Sequence, residues 1–111
     1  MQPNLTRPLT LEAPTETADG AGGLAQGWTA LGQLWAEMRP RAGSETSGQE
    51  AALSRARWTI ITRAAPFGAP SRPAPGQRFR DGARLFDILT VAEADPQARY
   101  LTISAEEERI R

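Results

Sequence analysis

The 111-residue chain contains no cysteine and no histidine. The usual ligands of zinc, haem and iron–sulfur centres are therefore missing, and so are the Cys–His and Ser–His pairs of common hydrolases. The absence of cysteine also removes any evidence about the redox compartment. Lysine is absent too, so all thirteen basic residues are arginine. We therefore expect no metal, no cofactor and no catalytic residue.

Long apolar runs are also missing. No segment approaches the roughly 20 apolar residues of a membrane-spanning helix, and the N-terminal residues contain no apolar run typical of a signal peptide. The sequence therefore predicts no membrane partner and a location in the cytoplasm, or in an assembly made there. One domain over residues 1–111 is expected, because single cores usually take about 100–200 residues.

Short segments that alternate apolar and polar residues dominate the chain, as is typical of half-buried β-strands. Pro14 and Pro40 mark the ends of the first two segments, and Asp81-Gly82 is a hairpin signal. The fold class predicted is all-β, a small antiparallel β-barrel or sandwich of about five or six strands, with one short helix inserted between central strands. The expected strands cover residues 7–13, 28–39, 57–63, 78–80, 83–94 and 99–105.

The insertion segment, residues 42–56, separates two of these strands. Ser47 and Glu50 have the spacing of a capping box, which predicts a helix from about Gly48 to Ala56. A helix of that length is marginal alone and needs packing or a partner. The Pro-rich segment, residues 64–77, is expected to lack regular structure. The acidic–basic tail, residues 106–111, is expected to be frayed or partner-bound.

Charge is unevenly distributed along a chain whose net charge is zero. Residues 1–54 sum to −3, residues 55–84 to +6, and residues 85–111 to −3. The arginines that flank the insertion segment are the best candidates for contacts with a polyanion, although a solvated face is the simpler interpretation. These candidates are Arg39, Arg41, Arg55 and Arg57.

Other motifs are weaker. The glycines of residues 20–25 superficially match a dinucleotide fingerprint but lack its strand–helix context. Glu106, Glu107 and Glu108 are more typical of a solvated tail than of a metal site. Strand alternation favours burial of Trp35 and Trp58 in a core or an interface over stacking on bases.

Taken in order along the chain, these elements resemble the head–tail joining proteins of tailed bacteriophages and of phage-derived gene transfer agents, also called head completion or stopper proteins. The resemblance covers roughly Leu5 to Ala105 and depends on order and spacing rather than on one motif. Its elements are Leu9-Thr10-Leu11, Asp19-Gly20, Gly22-Gly23, Trp28, Leu34-Trp35-Ala36-Glu37, Pro40, Gly43, Trp58-Thr59-Ile60-Ile61, Asp81-Gly82-Ala83-Arg84-Leu85-Phe86-Asp87-Ile88, Val91, Asp95 and Tyr100-Leu101-Thr102-Ile103.

The resemblance implies a neck protein of a phage or gene-transfer-agent particle, assembled in the bacterial cytoplasm. It implies a ring of copies between the portal or adaptor side of the head and a tail-side protein, through which double-stranded DNA passes without sequence reading. The insertion segment would then help to close the channel, with the four arginines as its phosphate contacts. The Pro-rich segment looks longer than is usual for the family. Two alternatives remain: a tail terminator or other neck component, and a free-standing small β-barrel that binds nucleic acid.

Overall fold

The computed structural model describes residues 1–41 and 53–110, with side chains for residues 1–41 and 55–108. These residues form six strands and no helix. All neighbouring strands are antiparallel, and the single sheet closes on itself in the order β1-β2-β3-β6-β5-β4. The predicted all-β class and strand number are confirmed. The strands are β1 (Arg7–Ala18), β2 (Leu24–Arg41), β3 (Leu53–Arg63), β4 (Arg78–Asp81), β5 (Arg84–Glu93) and β6 (Tyr100–Ile110).

The core lies inside this closed sheet. Alternation along the strands turns one set of apolar side chains inward, as period-2 patterning requires. Both Phe79 and Phe86 are fully buried, and they lie opposite each other on β4 and β5. The remaining members of the buried cluster are Leu9, Leu11, Ala36, Ile60, Ile88, Leu101, Ile103 and Ala105.

The closed sheet has two ends with different connections. At the end that we call lower, the chain leaves β2 at Arg41, enters β3 at Leu53 and turns at Gly82 between β4 and β5. The upper end carries the turn at residues 19–23, the Pro-rich segment and the turn at residues 94–99. The Pro-rich segment contains turns but no strand.

The first hairpin is longer than the sequence predicts. Strand β1 continues through Pro14 to Ala18, and β2 begins at Leu24 rather than at Trp28. Beyond Glu12, β1 has no pairing with β4, and proline is tolerated at such an edge because it interrupts no further ladder. Residues 13–30 therefore form a two-stranded ribbon, which we call the β1–β2 ribbon.

Two local predictions need correction. The helix expected to reach Ala56 falls largely on residues 42–52, which lie outside the described residues, but Leu53–Ala56 are the start of β3. The tail from Glu106, expected to be frayed or partner-bound, is not frayed, since β6 continues to Ile110. The two corrections have one cause, because Leu53 pairs with Ile110 and Ala56 with Glu107 in a regular ladder.

Candidate functional site

The four arginines predicted from sequence lie together at the lower end. Arg41 lies directly opposite Arg57 across the β2–β3 ladder, and Arg39 lies opposite Thr59. Arg55 is two residues from Arg57 on the same strand, so all four belong to one face. That face points away from the core, since the alternating positions carry the core residue Ala36 and the core-packed Met38, Trp58 and Ile60.

Carboxylates from neighbouring strand positions pair with these arginines. The Arg55 guanidinium lies 3.0 Å from Glu106 and 3.4 Å from Glu108, and Nε of Arg57 lies 3.5 Å from Glu106. Arg39 forms an ion pair with Glu37. Among the described residues, three carboxylates therefore accompany the four guanidinium groups, which makes a much weaker positive patch than the linear sequence indicates.

Sequence reasoning missed these acidic partners because it assigned Glu106 and Glu108 to a solvated tail. A signal was available: Arg55 and Arg57 are two residues apart, and so are the two glutamates. That spacing puts each pair on one face of a strand. Only the register of β3 against β6, in which Arg55 faces Glu108 and Arg57 faces Glu106, shows that the two pairs meet.

A buried polar cluster lies inside the closed sheet near the lower end. Arg84 donates to both oxygens of Glu107, at 2.7 and 3.1 Å, and the Trp58 indole N–H donates to the same carboxylate at 3.2 Å. The Trp58 ring meets Phe86 edge-on at 6.0 Å between ring centroids. These groups and the apolar core occupy the interior of the closed sheet.

The upper end displays aromatic side chains. The Arg78 guanidinium lies 4.0 Å from the centre of the Trp28 ring, and its Nε donates to Glu12 at 2.7 Å. Phe67 in the Pro-rich segment is 82% exposed. Trp35, which lies farther down β2 opposite Pro8, is 55% exposed, so its expected burial in the core is wrong and its burial at an interface remains a prediction.

Two carboxyl groups at these sites have pKa values that neighbouring hydrogen-bond donors lower. Burial raises the pKa of Glu12, but hydrogen bonds from Arg78 and Arg80 outweigh burial, so the pKa lies below its ordinary value. Backbone N–H groups of Ala21 and Gly23 lower the pKa of Asp19 at the ribbon tip. These groups act as fixed negative charges near neutral pH.

Neither a metal site nor a membrane helix is found in the described part of the chain. Within residues 1–41 and 53–110, no group of three or more potential ligands is placed to hold a metal ion. The same residues contain no helix long and apolar enough to cross a membrane.

Comparison with known proteins identifies the family. The chain matches the family model of the phage head completion protein over residues 1–108. It is similar to one chain in the virion of a native gene transfer agent particle, with 48% sequence identity and a TM-score of 0.85 over 99% of this chain and 100% of that chain. No curated protein sequence matches it. The resemblance stated from the sequence is confirmed, and so is a location in the virion. The chain belongs to the phage head completion protein family and is a structural head–tail component of a phage or gene-transfer-agent particle.

Proposed function

We propose that the protein is the stopper subunit of the particle neck. Identical copies form a ring between the portal or adaptor side of the head and a tail-side protein, and the ring joins head to tail and retains double-stranded DNA. The protein performs this role without catalysing a reaction. The observation that carries the proposal is the match along the whole chain, at 48% identity, to one chain of a gene transfer agent virion.

We assign the lower end of the closed sheet to the side of the subunit that faces DNA in the ring. Strand β2 ends at Arg41 and β3 begins at Leu53, on either side of residues 42–52. The four arginines lie next to these two strand ends on one face. In a ring every charge recurs in each copy, so a modest patch becomes a continuous belt. Contacts between arginine and phosphate position DNA without reading its sequence. The carboxylates of Glu106 and Glu108 reduce the net attraction, which suits a surface past which DNA must also move.

Two opposite sets of substitutions test this assignment in assembled particles. Replacing Arg41, Arg55 and Arg57 with Ala removes positive charge from the face, and we expect particles that lose packaged DNA faster. Replacing Glu106 and Glu108 with Gln removes the paired negative charge, and we expect slower DNA release. Both are measured as nuclease-accessible DNA over time at several salt concentrations, because phosphate contacts weaken as salt rises.

Arg80→Ala is the matched control for charge. Arg80 lies on β4, away from the strands that carry the four arginines, and pairs with Glu12 at 2.9 Å, so its loss changes net charge without removing any of those four groups. Unchanged DNA retention in both sets, or an equal effect of the control, contradicts the assignment of this face to the lumen.

Particles that lack the protein distinguish the stopper from its alternatives. Loss of a stopper leaves filled heads that leak DNA and have no tails, whereas loss of a tail terminator disturbs tail length. Imaging of such particles separates the two. A free-standing nucleic-acid-binding module is tested on the purified chain, which would then bind oligonucleotides tightly at low salt through its exposed tryptophans.

A further inference from the structure

Two exposed apolar features lie at the upper end, on opposite flanks of the closed sheet. The first is the β1–β2 ribbon, where Leu24 is 63% and Trp28 is 41% exposed; the second is Phe67. The Pro-rich segment lies against β5 and β6 and shares cavities with Val91 and Leu101. In the closed strand order, β6 lies three positions from β1 and β5 lies three positions from β2, which places the two features on opposite sides of the sheet.

The β1–β2 ribbon needs further packing to be stable. A two-stranded hairpin alone is marginally stable in water, and among the described strands none pairs with either edge of the ribbon beyond the closed sheet. The ribbon contacts the sheet body through the stacking of Trp28 on Arg78. A groove of about 420 Å³ lies along it, in the size range of sites that enclose small apolar groups. Its lining residues are Pro14, Thr15, Glu16, Gln26, Gly27 and Trp28.

Phe67 is held in place although it is exposed. The Arg72 guanidinium lies 3.8 Å from the centre of the Phe67 ring, and Arg72 donates a hydrogen bond to the carbonyl of Ala65 at 2.9 Å. Prolines on both sides further restrict the backbone. An aromatic side chain fixed in this way loses little conformational entropy when a partner buries it.

The two flanks have opposite charge. Residues 13–30 contain Glu16 and Asp19 and no basic residue. The flank of the Pro-rich segment carries three arginines and two carboxylates, of which Asp95 is nearly buried against Arg99. These charged groups are Arg63, Arg72, Arg99, Glu93 and Asp95.

We infer that the β1–β2 ribbon of one copy docks on the Pro-rich flank of the next copy. Phe67 of one copy enters the groove beside Trp28 of its neighbour, and Arg72 faces Glu16. Two unlike surfaces on opposite flanks make a head-to-tail contact, which builds a ring rather than a two-fold pair when the rotation between copies closes. This inference rests on the proposed ring and specifies the contact that builds it.

The cysteine-free chain allows a direct test by cross-linking. Thr17→Cys places a thiol on the ribbon and Ser71→Cys places one on the Pro-rich segment. In particles carrying the double variant, a short bismaleimide should give a ladder of dimers, trimers and higher products. Each single variant should stay monomeric, because like surfaces do not meet in a head-to-tail contact.

Electron microscopy of the same particles separates failure of the contact from failure of the proposed function. A neck ring without a ladder overturns the docking contact alone, and absence of a ring overturns both. A ladder that stops at the dimer, or cross-linking of a single variant, shows a two-fold contact and also overturns the inference.

A second measurement does not depend on cross-linking. We expect Phe67→Ser to lower the number of DNA-transferring particles by about tenfold or more, because it removes a central aromatic anchor. Phe67→Leu should recover part of that loss. The melting temperature of the isolated protein should remain unchanged, since the ring is exposed in the single chain. Full transfer by Phe67→Ser particles contradicts the docking of Phe67.

Discussion

Glu107 offers a sharp test of how the lower end is stabilised. Its side chain is 5% exposed and pairs with Arg84, whose side chain is 39% exposed. Glu107→Gln keeps the shape of the side chain but removes the charge that holds the guanidinium. Breaking a fully buried ion pair costs about 3–5 kcal/mol. Water can partly rehydrate Arg84 in the variant, so we expect a loss of about 2 kcal/mol in the free energy of unfolding.

The neighbouring residue supplies the matched control. Glu108 lies next on the same strand, but its side chain is 46% exposed and its pair with Arg55 spans 3.4 Å. Exposed pairs of this kind contribute about 0–1 kcal/mol, so Glu108→Gln should change stability by less than about 0.5 kcal/mol. The two variants remove the same charge at adjacent positions, one buried and multiply hydrogen-bonded, the other exposed with a single long contact.

Urea unfolding followed by tryptophan fluorescence measures both variants, because Trp58 donates to the Glu107 carboxylate. We expect a lower midpoint for Glu107→Gln at unchanged slope, and a fall in melting temperature of about 10 °C. Combining Glu107→Gln with Arg84→Met should cost less than the sum of the single losses, as expected for contacting residues. Equal losses for the Glu107 and Glu108 variants would refute the reasoning from burial.

Two further predictions concern the sheet itself. The lowered pKa of Glu12 means that its contribution is complete above the ordinary value of 4.5 and is lost as pH falls through the lower folded value. Acid titration of stability should therefore be shallower in Glu12→Gln than in the natural chain, and identical curves would contradict this. Gly82 has a φ of +63° with open space around its missing side chain, so Gly82→Ala should cost about 1 kcal/mol through backbone strain alone. Gly82→Asn, which tolerates that conformation, should cost less in the same unfolding assay, and equal costs would contradict strain as the cause.

The sequence allowed the strands to be predicted because their evidence is local. Leu9 and Leu11 alternate with polar residues, and so do Ile60 and its neighbours, which is enough to assign strands and an inward face. The positions at which the strands end were less predictable. Pro14 indicates a strand end by its local chemistry, yet β1 continues to Ala18 because the opposite strand of the ribbon continues alongside it.

Non-local pairing also decided the outcome at Leu53–Ala56. A capping box and an Ala-rich run favour a helix locally, but a short helix is marginal. Four consecutive residues of β3 instead find partners on β6, from Leu53 opposite Ile110 to Ala56 opposite Glu107. The four candidate arginines lie on one face at the lower end, and their role in contacting DNA stays a prediction. Their acidic partners could be identified only from this register.

The charge balance of the lower face bears on how it would act on DNA. If the four arginines line a lumen, each copy presents four guanidinium groups against Glu37, Glu106 and Glu108. The salt dependence of phosphate binding grows with the number of phosphates that are neutralised. A belt of unpaired arginines would therefore hold DNA tightly and oppose its exit. A nearly balanced belt attracts phosphates weakly at every angle around the ring, so that it slows the movement of DNA without fixing it in place. Loss of Arg41, Arg55 and Arg57 would then weaken this attraction and speed DNA exit, whereas loss of the charges on Glu106 and Glu108 would strengthen it.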